Sequence, residues 1–411
     1  MPALQSLPRH TRQALAALCL CTLLPALGTS IANVGLPVLV RDFGAPYAQV
    51  QWVVLAYLAA TTGMAVVAGR LGDRYGRRRL LLGGIALFGV ASLACGFASS
   101  LPVLVAARAL QGCGAAAMMA LALPFVGEAM PEGRAGAAMG WLGTMSGAGT
   151  ALGPTLGGIL LAWGGWPALF LALAPLAMLA FGIAWRWLPT GQGMRARAPQ
   201  AQGDPLPWGG LGAGLLVASV VMTTLVVGPF YLSGGLGLGS AAVGLAMSCG
   251  PLAAMLAGVP AGRAVDRFGA RPSMLAGLAS MAAGCALLAL LPRGSGIAGY
   301  VLPLAVCTGG YALFQAANNT ALMATCAPER RGALSGMIGV ARNLGLMAGA
   351  SLMGMLFART AGLDGGTAPV TIAAAMRTSF GAALVLVLAA WALTMRTSAP
   401  LPQTSTTDRA S

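Results

Sequence analysis

Charge is scarce in this sequence. Only 8% of its 411 residues are charged, His10 is the only histidine, and lysine is absent, so that all 24 basic residues are arginine. Soluble domains carry about 25% charged residues. A chain that is 57% hydrophobic could not cover a water-facing surface without exposing large apolar patches. The composition therefore excludes an ordinary soluble protein and predicts one that is embedded in a membrane.

The residues of metal sites and enzymes are also scarce. The eight cysteines lie almost entirely within apolar runs, where a thiol acts as a small core side chain. With one histidine, no Cys/His spacing suggests a metal site, and there is no recognisable nucleophile–base pair or phosphate loop. The formal charge of +15 is spread over short loops rather than over one face. We therefore expect no enzyme, no metal or other cofactor and no nucleic-acid partner.

Long apolar runs occupy most of the chain. A membrane-spanning helix needs about 20 mostly apolar residues. Twelve such segments run over 13–36, 48–69, 79–99, 102–126, 135–160, 163–186, 209–232, 240–261, 273–292, 297–322, 332–357 and 372–395. A signal peptide is an alternative for the first run, but that run continues past Gly28 to Val40 without a small-residue cleavage site. We predict an all-α membrane protein with twelve transmembrane helices.

The longest polar gap, 187–208, divides the spans into two sets of six. It is rich in Pro, Gly, Arg and Gln, which predicts a flexible cytoplasmic linker. The sequence thus predicts an N-terminal six-helix bundle over 1–186, a C-terminal six-helix bundle over 209–396 and a polar cytoplasmic tail over 397–411.

The arginines are distributed unequally between the two sides of the membrane. Eighteen fall in segments on the side of the N-terminus, four fall on the other side, and Arg108 and Arg342 lie within spans. Cytoplasmic loops carry an excess of basic residues. We therefore expect a multi-pass protein of a bacterial inner (plasma) membrane with both termini in the cytoplasm.

Two short motifs recur at nearly one offset. Residues 73–78 (DRYGRR) return 193 positions later as 266–271 (DRFGAR), and residues 131–136 (PEGRAG) return 197 positions later as 328–333 (PERRGA). Recurrence at one offset indicates an internal duplication. We predict two pseudo-symmetric bundles with a site between them near the middle of the membrane, as in transporters built from parallel repeats.

Three further motifs carry a family resemblance. The first, GRLGDRYGRRR over 69–79, lies between the second and third spans; the second, RALQGCG over 108–114, lies in the fourth; the third, GTALGPTLGG over 149–158, lies in the fifth. Together they make the chain resemble the major facilitator superfamily over essentially its whole length. Within that superfamily it looks like the drug-efflux (drug:proton antiporter) branch. The resemblance implies the major facilitator fold and a transport function.

The first motif is similar to the superfamily's signature for the cytoplasmic loop. Its glycines permit a tight turn. The resemblance implies that Asp73 lies at the N-terminal end of the eleventh helix, where the helix dipole stabilises an anion. The alternative is that the arginines only anchor the loop in the cytoplasm. The motif residues are Gly69, Gly72, Asp73, Arg74, Gly76 and Arg77.

The second motif looks like the superfamily's intramembrane arginine motif. Arg108 and Gln111 are three residues apart and share a helix face. A mid-span arginine costs about 2.5–3.5 kcal/mol on insertion scales, so it should face the interior. We predict that these two residues and further intramembrane polar residues line a substrate cavity, with structural bridges between helices as the alternative. The predicted cavity set is Asn33, Arg108, Gln111, Gln315, Asn318, Asn319 and Arg342.

The third motif is similar to the antiporter signature, which in this superfamily accompanies exporters rather than importers. Three of its glycines recur every fourth residue and line one face, which permits close packing, and its proline removes a backbone hydrogen bond. A role in packing alone is the alternative. The motif residues are Gly149, Gly153, Pro154, Gly157 and Gly158.

None of the nine carboxylates falls in the middle of a predicted span. Proton coupling usually needs a membrane-embedded group that changes charge. The resemblance implies proton-driven antiport, for which Glu128 and Asp73 are the candidate proton carriers; uniport or exchange of solutes stays open. Exporters of the multidrug branch usually place an aspartate upstream of the motif over 30–37, where this chain has Gly28.

The sequence predicts a secondary active transporter that exports a small molecule, a drug or a metabolite, by alternating access. Because the predicted cavity set holds two permanent cations, five amides and no acid, we expect a neutral or anionic substrate. The alternative is a metabolite importer or facilitator of the same superfamily without proton coupling. A receptor or scaffold would leave Arg108 and Arg342 unexplained. We expect a monomer in the lipid bilayer, with the substrate and protons as its partners.

Overall fold

Helices make up nearly all of the described chain. The computed structural model describes residues 8–129, 135–189, 207–292, 295–325, 331–362 and 368–396. Twelve long helices, numbered in chain order, run back and forth through the molecule. They are α1 Arg9–Phe43, α2 Trp52–Tyr75, α3 Arg77–Gly96, α4 Leu101–Ala129, α5 135–163, α6 166–187, α7 Trp208–Phe230, α8 Ser240–Phe268, α9 Ala270–Ala289, α10 Gly296–Ala324, α11 331–361 and α12 Pro369–Arg396.

The helix count confirms the predicted twelve spans. Ten stretches of the described residues are long and apolar enough to cross a membrane. One of them, 138–187, contains both α5 and α6, because the backbone leaves the helical region at Gly164 and Gly165. These ten stretches therefore contain eleven helices, and α2, with 24 residues, completes the twelve. The predicted linker falls between α6 and α7, but most of it, 190–206, and the tail 397–411 lie outside the described residues.

The first motif is helical for most of its length, which corrects the expected loop. The span predicted to end at residue 69 continues as α2 to Tyr75, so that Gly69, Gly72 and Arg74 lie in its last turns. Gly76 alone makes the turn, with a φ of +95°, and α3 begins at the next residue. One glycine suffices because a residue without a Cβ adopts a positive φ without strain.

The backbone repeats the duplication found in the sequence. Gly269, 193 positions after the first turn glycine, has a φ of +87° and joins α8 to α9 in the same way. Gly84 on α3 lies against the carbonyl of Gly114 on α4, and Gly277 on α9 lies against the carbonyl of Gly310 on α10. The third and fourth helices of each half are therefore held together by the same glycine contacts.

The first and fifth helices of each half are also in backbone contact. A methyl group at Gly149 on α5 would overlap the backbone of α1, and one at Gly345 on α11 would overlap the backbone of α7. Ser30 on α1 donates a hydrogen bond to the Gly149 carbonyl (3.2 Å), and Ser219 on α7 donates one to the Gly345 carbonyl (2.9 Å). Small residues thus allow two helix axes to approach closely in each half.

We call the end of the molecule where α1 begins and α12 ends the terminal end. The two halves meet at the opposite end. Tyr47, in the helical turn Tyr47–Val50 between α1 and α2, donates a hydrogen bond to the carbonyl of Ala350 on α11 (3.0 Å). The hydroxyl groups of Thr155 on α5 and Ser248 on α8 are hydrogen-bonded, with 2.5 Å between their oxygens. These contacts close the opposite end.

Towards the terminal end the same helices part. Nine glycines between the middle and the terminal ends of α2, α5, α8 and α11 have no described neighbouring heavy atom within 4 Å of where a Cβ would stand. They are Gly63, Gly69, Gly140, Gly143, Gly147, Gly258, Gly262, Gly336 and Gly339. At these positions the four helices make no close contact of the kind that joins the halves at the opposite end.

We expect Gly153→Ala to destabilise the protein, because a methyl group at this position would overlap Ser30 on α1. Overpacking of this kind costs roughly 1–3 kcal/mol. Gly140→Ala, at an exposed position of the same helix without a close neighbour, is the matched control. Thermal unfolding of the purified protein in detergent should show a lower midpoint for G153A only. Equal midpoints would mean that α1 and α5 move apart at little cost.

Candidate substrate cavity

A cavity of about 620 Å³ lies between the two halves. α1, α2, α4 and α5 line it on one side and α7, α8, α10 and α11 on the other, whereas no described residue of α3, α6, α9 or α12 belongs to its wall. Cavities of about 300–1,000 Å³ hold drug-sized ligands. Each half thus contributes the same four of its six helices to a space large enough for an organic small molecule.

The wall is mainly apolar, with many hydroxyl groups. Methionines, whose flexible thioethers adapt to ligands of different shape, contribute from three helices. They are Met119, Met222, Met247 and Met255. The hydroxyl groups belong to Thr29, Ser30, Tyr57, Thr61, Ser146, Thr150, Thr224, Thr308 and Tyr311. Among the described lining residues, Arg342 has the only charged side chain.

Two of the seven residues in the predicted cavity set line this cavity. Gln315 lies on α10 and Arg342 on α11, and Asn343 follows Arg342 on the wall. The Arg342 side chain has no hydrogen-bond or ion-pair partner among the described residues, and its Nε is buried. Because a guanidinium carries five N–H donors, this side chain can bind a ligand that enters the cavity.

Arg108 lies inside the N-terminal half rather than on the cavity wall. Its side chain is fully buried; Nε donates a hydrogen bond to the Val53 carbonyl on α2 (2.9 Å), and Nη1 donates one to Oε1 of Gln111. The guanidinium carbon lies 4.2 Å from the centroid of the Tyr57 ring. Because Tyr57 itself lines the cavity, Arg108 lies one side chain behind the wall.

Gln111 extends this network to a third helix. Its Nε2 donates a hydrogen bond to Oγ of Ser92 on α3 (2.7 Å), and Ser92 donates one to the Phe88 carbonyl (2.6 Å). The network therefore joins α2, α4 and α3 within one half. Nη2 of Arg108 is buried without a hydrogen-bond partner in the described part of the chain.

The other predicted amides also lie away from the wall. Asn33 donates a hydrogen bond to the Thr29 carbonyl one turn earlier in α1 (3.1 Å). Asn318 on α10 donates one to the Gly210 carbonyl at the start of α7 (3.2 Å), and Asn319 is not among the lining residues. The structure thus brings Gln315 and Arg342 to the cavity, and the remaining five residues of the set are not among the described lining residues.

The glycines of the third motif face two different partners. Gly149, Gly153 and Gly157 on α5 contact α1 of the same half, whereas Gly158 contacts Gly244 on α8 of the other half. The motif therefore connects the packing within one half to the contact that closes the cavity.

The first motif and the candidate proton carriers lie towards the terminal end. Gly72 in α2 lies close to Leu121 on α4, and Arg78 donates a hydrogen bond to the Trp185 carbonyl near the end of α6. Asp73 belongs to the end of α2 and Glu128 to the end of α4, but both side chains lie outside the described part of the structure.

Most of the wall was missed by reasoning from the sequence. Thr, Ser and Met are common in every membrane helix, so that their presence alone does not indicate a ligand site. Periodicity is the signal that was available: Thr308, Tyr311 and Gln315 follow one another on one face of α10, as do Tyr57 and Thr61 on α2.

Comparison with known proteins agrees with this architecture. The family model described as Major Facilitator Superfamily matches residues 18–225 and 210–410. An uncharacterised transporter, YebQ of Escherichia coli (strain K12), is 30% identical over 411 residues, which cover 85% of this chain and 89% of YebQ. The chain belongs to the major facilitator superfamily and is therefore a membrane transporter rather than an enzyme.

Further relatives carry more specific names. The riboflavin transporter RibZ of Clostridioides difficile (strain 630) is 25% identical over 398 residues, covering 84% of this chain and 87% of RibZ. The multidrug resistance protein Stp of Mycobacterium tuberculosis (strain CDC 1551 / Oshkosh) is 38% identical over 181 residues, covering 44% of this chain and 34% of Stp. The first match spans almost the whole chain, whereas the second spans less than half of it.

A solved structure confirms the fold. The bacterial homologue of the human lysosomal transporter Spinster, in an inward-facing and unoccupied conformation, aligns with a TM-score of 0.79. The alignment covers 95% of this chain and 98% of that protein at 17% identity. The predicted major facilitator fold is therefore confirmed.

We expect Arg108→Leu to lower the free energy of unfolding, because the Gln111 amide oxygen would stay buried without its donor and the Val53 carbonyl would lose its side-chain donor. An orphaned buried acceptor costs about 1–3 kcal/mol. Arg359→Leu removes an exposed arginine from α11 and is the control. The thermal unfolding midpoint should fall for R108L only. A normal midpoint together with lost transport would assign Arg108 to the transport cycle instead.

Proposed function

We propose that this transporter exports a small molecule by alternating access. The observation that carries the proposal is a cavity between two similar sets of helices, closed at the end opposite the terminal end by the α5–α8 contact and the Tyr47–Ala350 hydrogen bond. We infer that it opens at the terminal end. Rocking of one half against the other would expose the cavity alternately at the two ends. The proposed moving bodies are 1–186 and 209–396, joined by the linker 187–208.

We infer that the terminal end faces the cytoplasm of a bacterial inner membrane. Arg70 and Arg74 on α2 and Arg263 and Arg267 on α8 are exposed at this end. An excess of basic residues on one side orients a membrane protein with that side in the cytoplasm. An exporter would then load its substrate from the cytoplasm in the conformation described above.

Two observations support export over import. The third motif resembles the antiporter signature, and one relative, Stp, is named as a multidrug resistance protein. RibZ, which is named as a riboflavin transporter, aligns over almost the whole chain and keeps a metabolite importer or facilitator as the second candidate function. The two candidates differ in the direction of net transport, which a flux measurement decides.

Protons are the proposed counter-ion, with Glu128 or Asp73 as the carrier. Both residues belong to helix ends on the terminal side, α4 and α2 respectively. The described wall of the cavity holds no carboxylate, so the carrier would act beside the cavity rather than in it. Exchange of one solute for another needs no carboxylate and is the alternative form of coupling.

We expect a disulfide across the closed end to stop transport. Thr155→Cys and Ser248→Cys would place two thiols where two hydroxyl groups are now hydrogen-bonded, with Cys249→Ala removing the neighbouring thiol. Oxidation should block transport in proteoliposomes, and a reductant should restore it. The controls are the two variants that carry only one of the two introduced cysteines, treated with the same oxidant. Full transport by the cross-linked protein would contradict alternating access.

We expect a bacterial strain stripped of its own pumps to expel neutral and anionic compounds, but not an ethidium-like cation, when it carries this chain. A cation about 6 Å from Arg342 would be repelled by roughly 3 kcal/mol at an effective dielectric constant of 20. That is about a hundredfold in affinity. Robust export of the cation, unaffected by Glu128→Gln, would contradict the charge argument, and net uptake would favour the importer.

A further inference from the structure

The duplication makes the two walls of the cavity comparable residue by residue. Gly149 and Gly345 each contact the first helix of their own half, and so do Gly153 and Gly349. Both pairs are separated by 196 positions, which sets the correspondence between α5 and α11. The contacting glycines Gly114 and Gly310 give the same separation for α4 and α10.

This correspondence shows that the charged and amide side chains of the described wall lie on one side of the cavity. Three polar residues on the wall formed by the second half have counterparts that also line the cavity. The pairs are Ser146 and Arg342, Gly147 and Asn343, and Met119 and Gln315. Where the first half presents a hydroxyl, a hydrogen atom and a thioether, the second half presents a guanidinium and two amides. Recognition of a charged ligand group therefore belongs to the second half.

No described carboxylate neutralises the charge of Arg342. No described carboxylate lines the cavity, and the side chain makes no described ion pair or hydrogen bond. A cation inside the membrane is costly unless it is paired or hydrated. Closing the halves around the cavity would remove water, so that an anion bound to Arg342 would stabilise the closed form.

The rest of the wall indicates what the anion carries. Four methionines and apolar side chains such as Leu58, Leu225 and Leu304 surround the 620 Å³ cavity. Burial of apolar surface there is worth roughly 25 cal/mol per Å² to a ligand with an apolar body. An inorganic anion would gain none of this contribution and would leave most of the volume unused.

We propose that Arg342 binds the anionic group of the transported compound, that Asn343 and Gln315 donate hydrogen bonds beside it, and that the compound is an amphipathic organic anion such as an aromatic carboxylate. The proposal rests on the proposed function of the cavity as the transport site. It assigns one end of the ligand to α10 and α11 and the apolar body to the methionine-bearing helices.

The test compares three probes of the same shape on the purified full chain in lipid nanodiscs: 1-naphthoate, 1-naphthamide and 1-naphthylmethylammonium. Wild type should bind the anion most tightly and the cation least. Arg342→Gln removes the charge and keeps an N–H donor on a shorter side chain, and it should weaken naphthoate by roughly tenfold to a hundredfold. Naphthamide should change by less than about threefold, because it makes no ion pair.

Two variants separate charge from packing. Arg359→Gln removes an exposed arginine from the same helix and should leave all three affinities unchanged. Arg342→Lys keeps a cation without the planar fork of donors, so it should retain part of the preference for naphthoate over naphthamide. If R342Q does not fold, as judged by thermal unfolding, this retained preference in R342K decides the question.

Three results would overturn the proposal. The first is an equal loss of naphthoate and naphthamide binding in R342Q, which would indicate a packing role. The second is complete loss of the naphthoate preference in a folded R342K protein. The third is displacement of naphthoate by inorganic sulfate at equal concentration, which would indicate a site for small inorganic anions.

The binding assay also separates this proposal from that of export. If naphthoate binds with the expected dependence on Arg342 but no naphthyl compound leaves loaded cells, the anion site stands and the export function fails. If neutral compounds are exported while naphthoate and naphthamide bind equally well to wild type, export stands and the anion site fails.

Discussion

Close backbone contact between the first and fifth helices of each half is the constraint on which the rest of the structure depends. In a bilayer the hydrophobic effect does not drive helices together, so association relies on close packing and on hydrogen bonds between helices. Gly149 and Gly345 permit the close packing. Ser30 and Ser219 donate the hydrogen bonds, which the carbonyls of those same glycines accept. The continuation of α5 also reaches the other half, through Gly158. Packing within a half and closure between halves therefore use neighbouring faces of one helix.

The buried cation of the first half is stabilised in another way. Arg108 is held by a carbonyl, an amide and an aromatic ring, and no described carboxylate contacts it. The resemblance to multidrug exporters implies that an aspartate usually stands upstream of the motif over 30–37, where this chain has Gly28. Here a Cβ at Gly28 would lie 3.3 Å from Phe88 and 3.5 Å from the Tyr57 hydroxyl, beside the ring that covers Arg108. A larger side chain at this position would crowd these rings, and Arg108 is held in this half by carbonyl, amide and ring contacts.

The fold was predictable from the sequence and much of the site was not, for one physical reason. A bilayer imposes a length of about 20 apolar residues on every span, so composition alone locates the helices. It does not determine which way a polar residue points around its helix, because each polar side chain can bond to its own helix, a neighbour or a ligand. Asn33 bonds within α1, Asn318 bonds to α7, and Gln315 faces the cavity. The helical form of Gly69–Tyr75 was also not predictable, because the glycines in this segment are equally suited to a turn.

Duplication preserved backbone contacts in this molecule and left side-chain chemistry free to diverge. The contacting glycines also set the correspondence between the third and fourth helices of the two halves. By this correspondence, Ser92 and Gln111, which are hydrogen-bonded in the first half, match Cys285 and Cys307 in the second half. The sulfurs of these two cysteines are 4.0 Å apart. A polar bridge in one half thus corresponds to a small, weakly polar contact in the other, while the glycines that set the helix spacing recur. The buried cation belongs to the packing of one half, whereas the cation of the other half, Arg342, lines the cavity. A scaffold whose geometry is fixed by residues without side chains leaves the remaining positions free to specify a ligand on one wall alone.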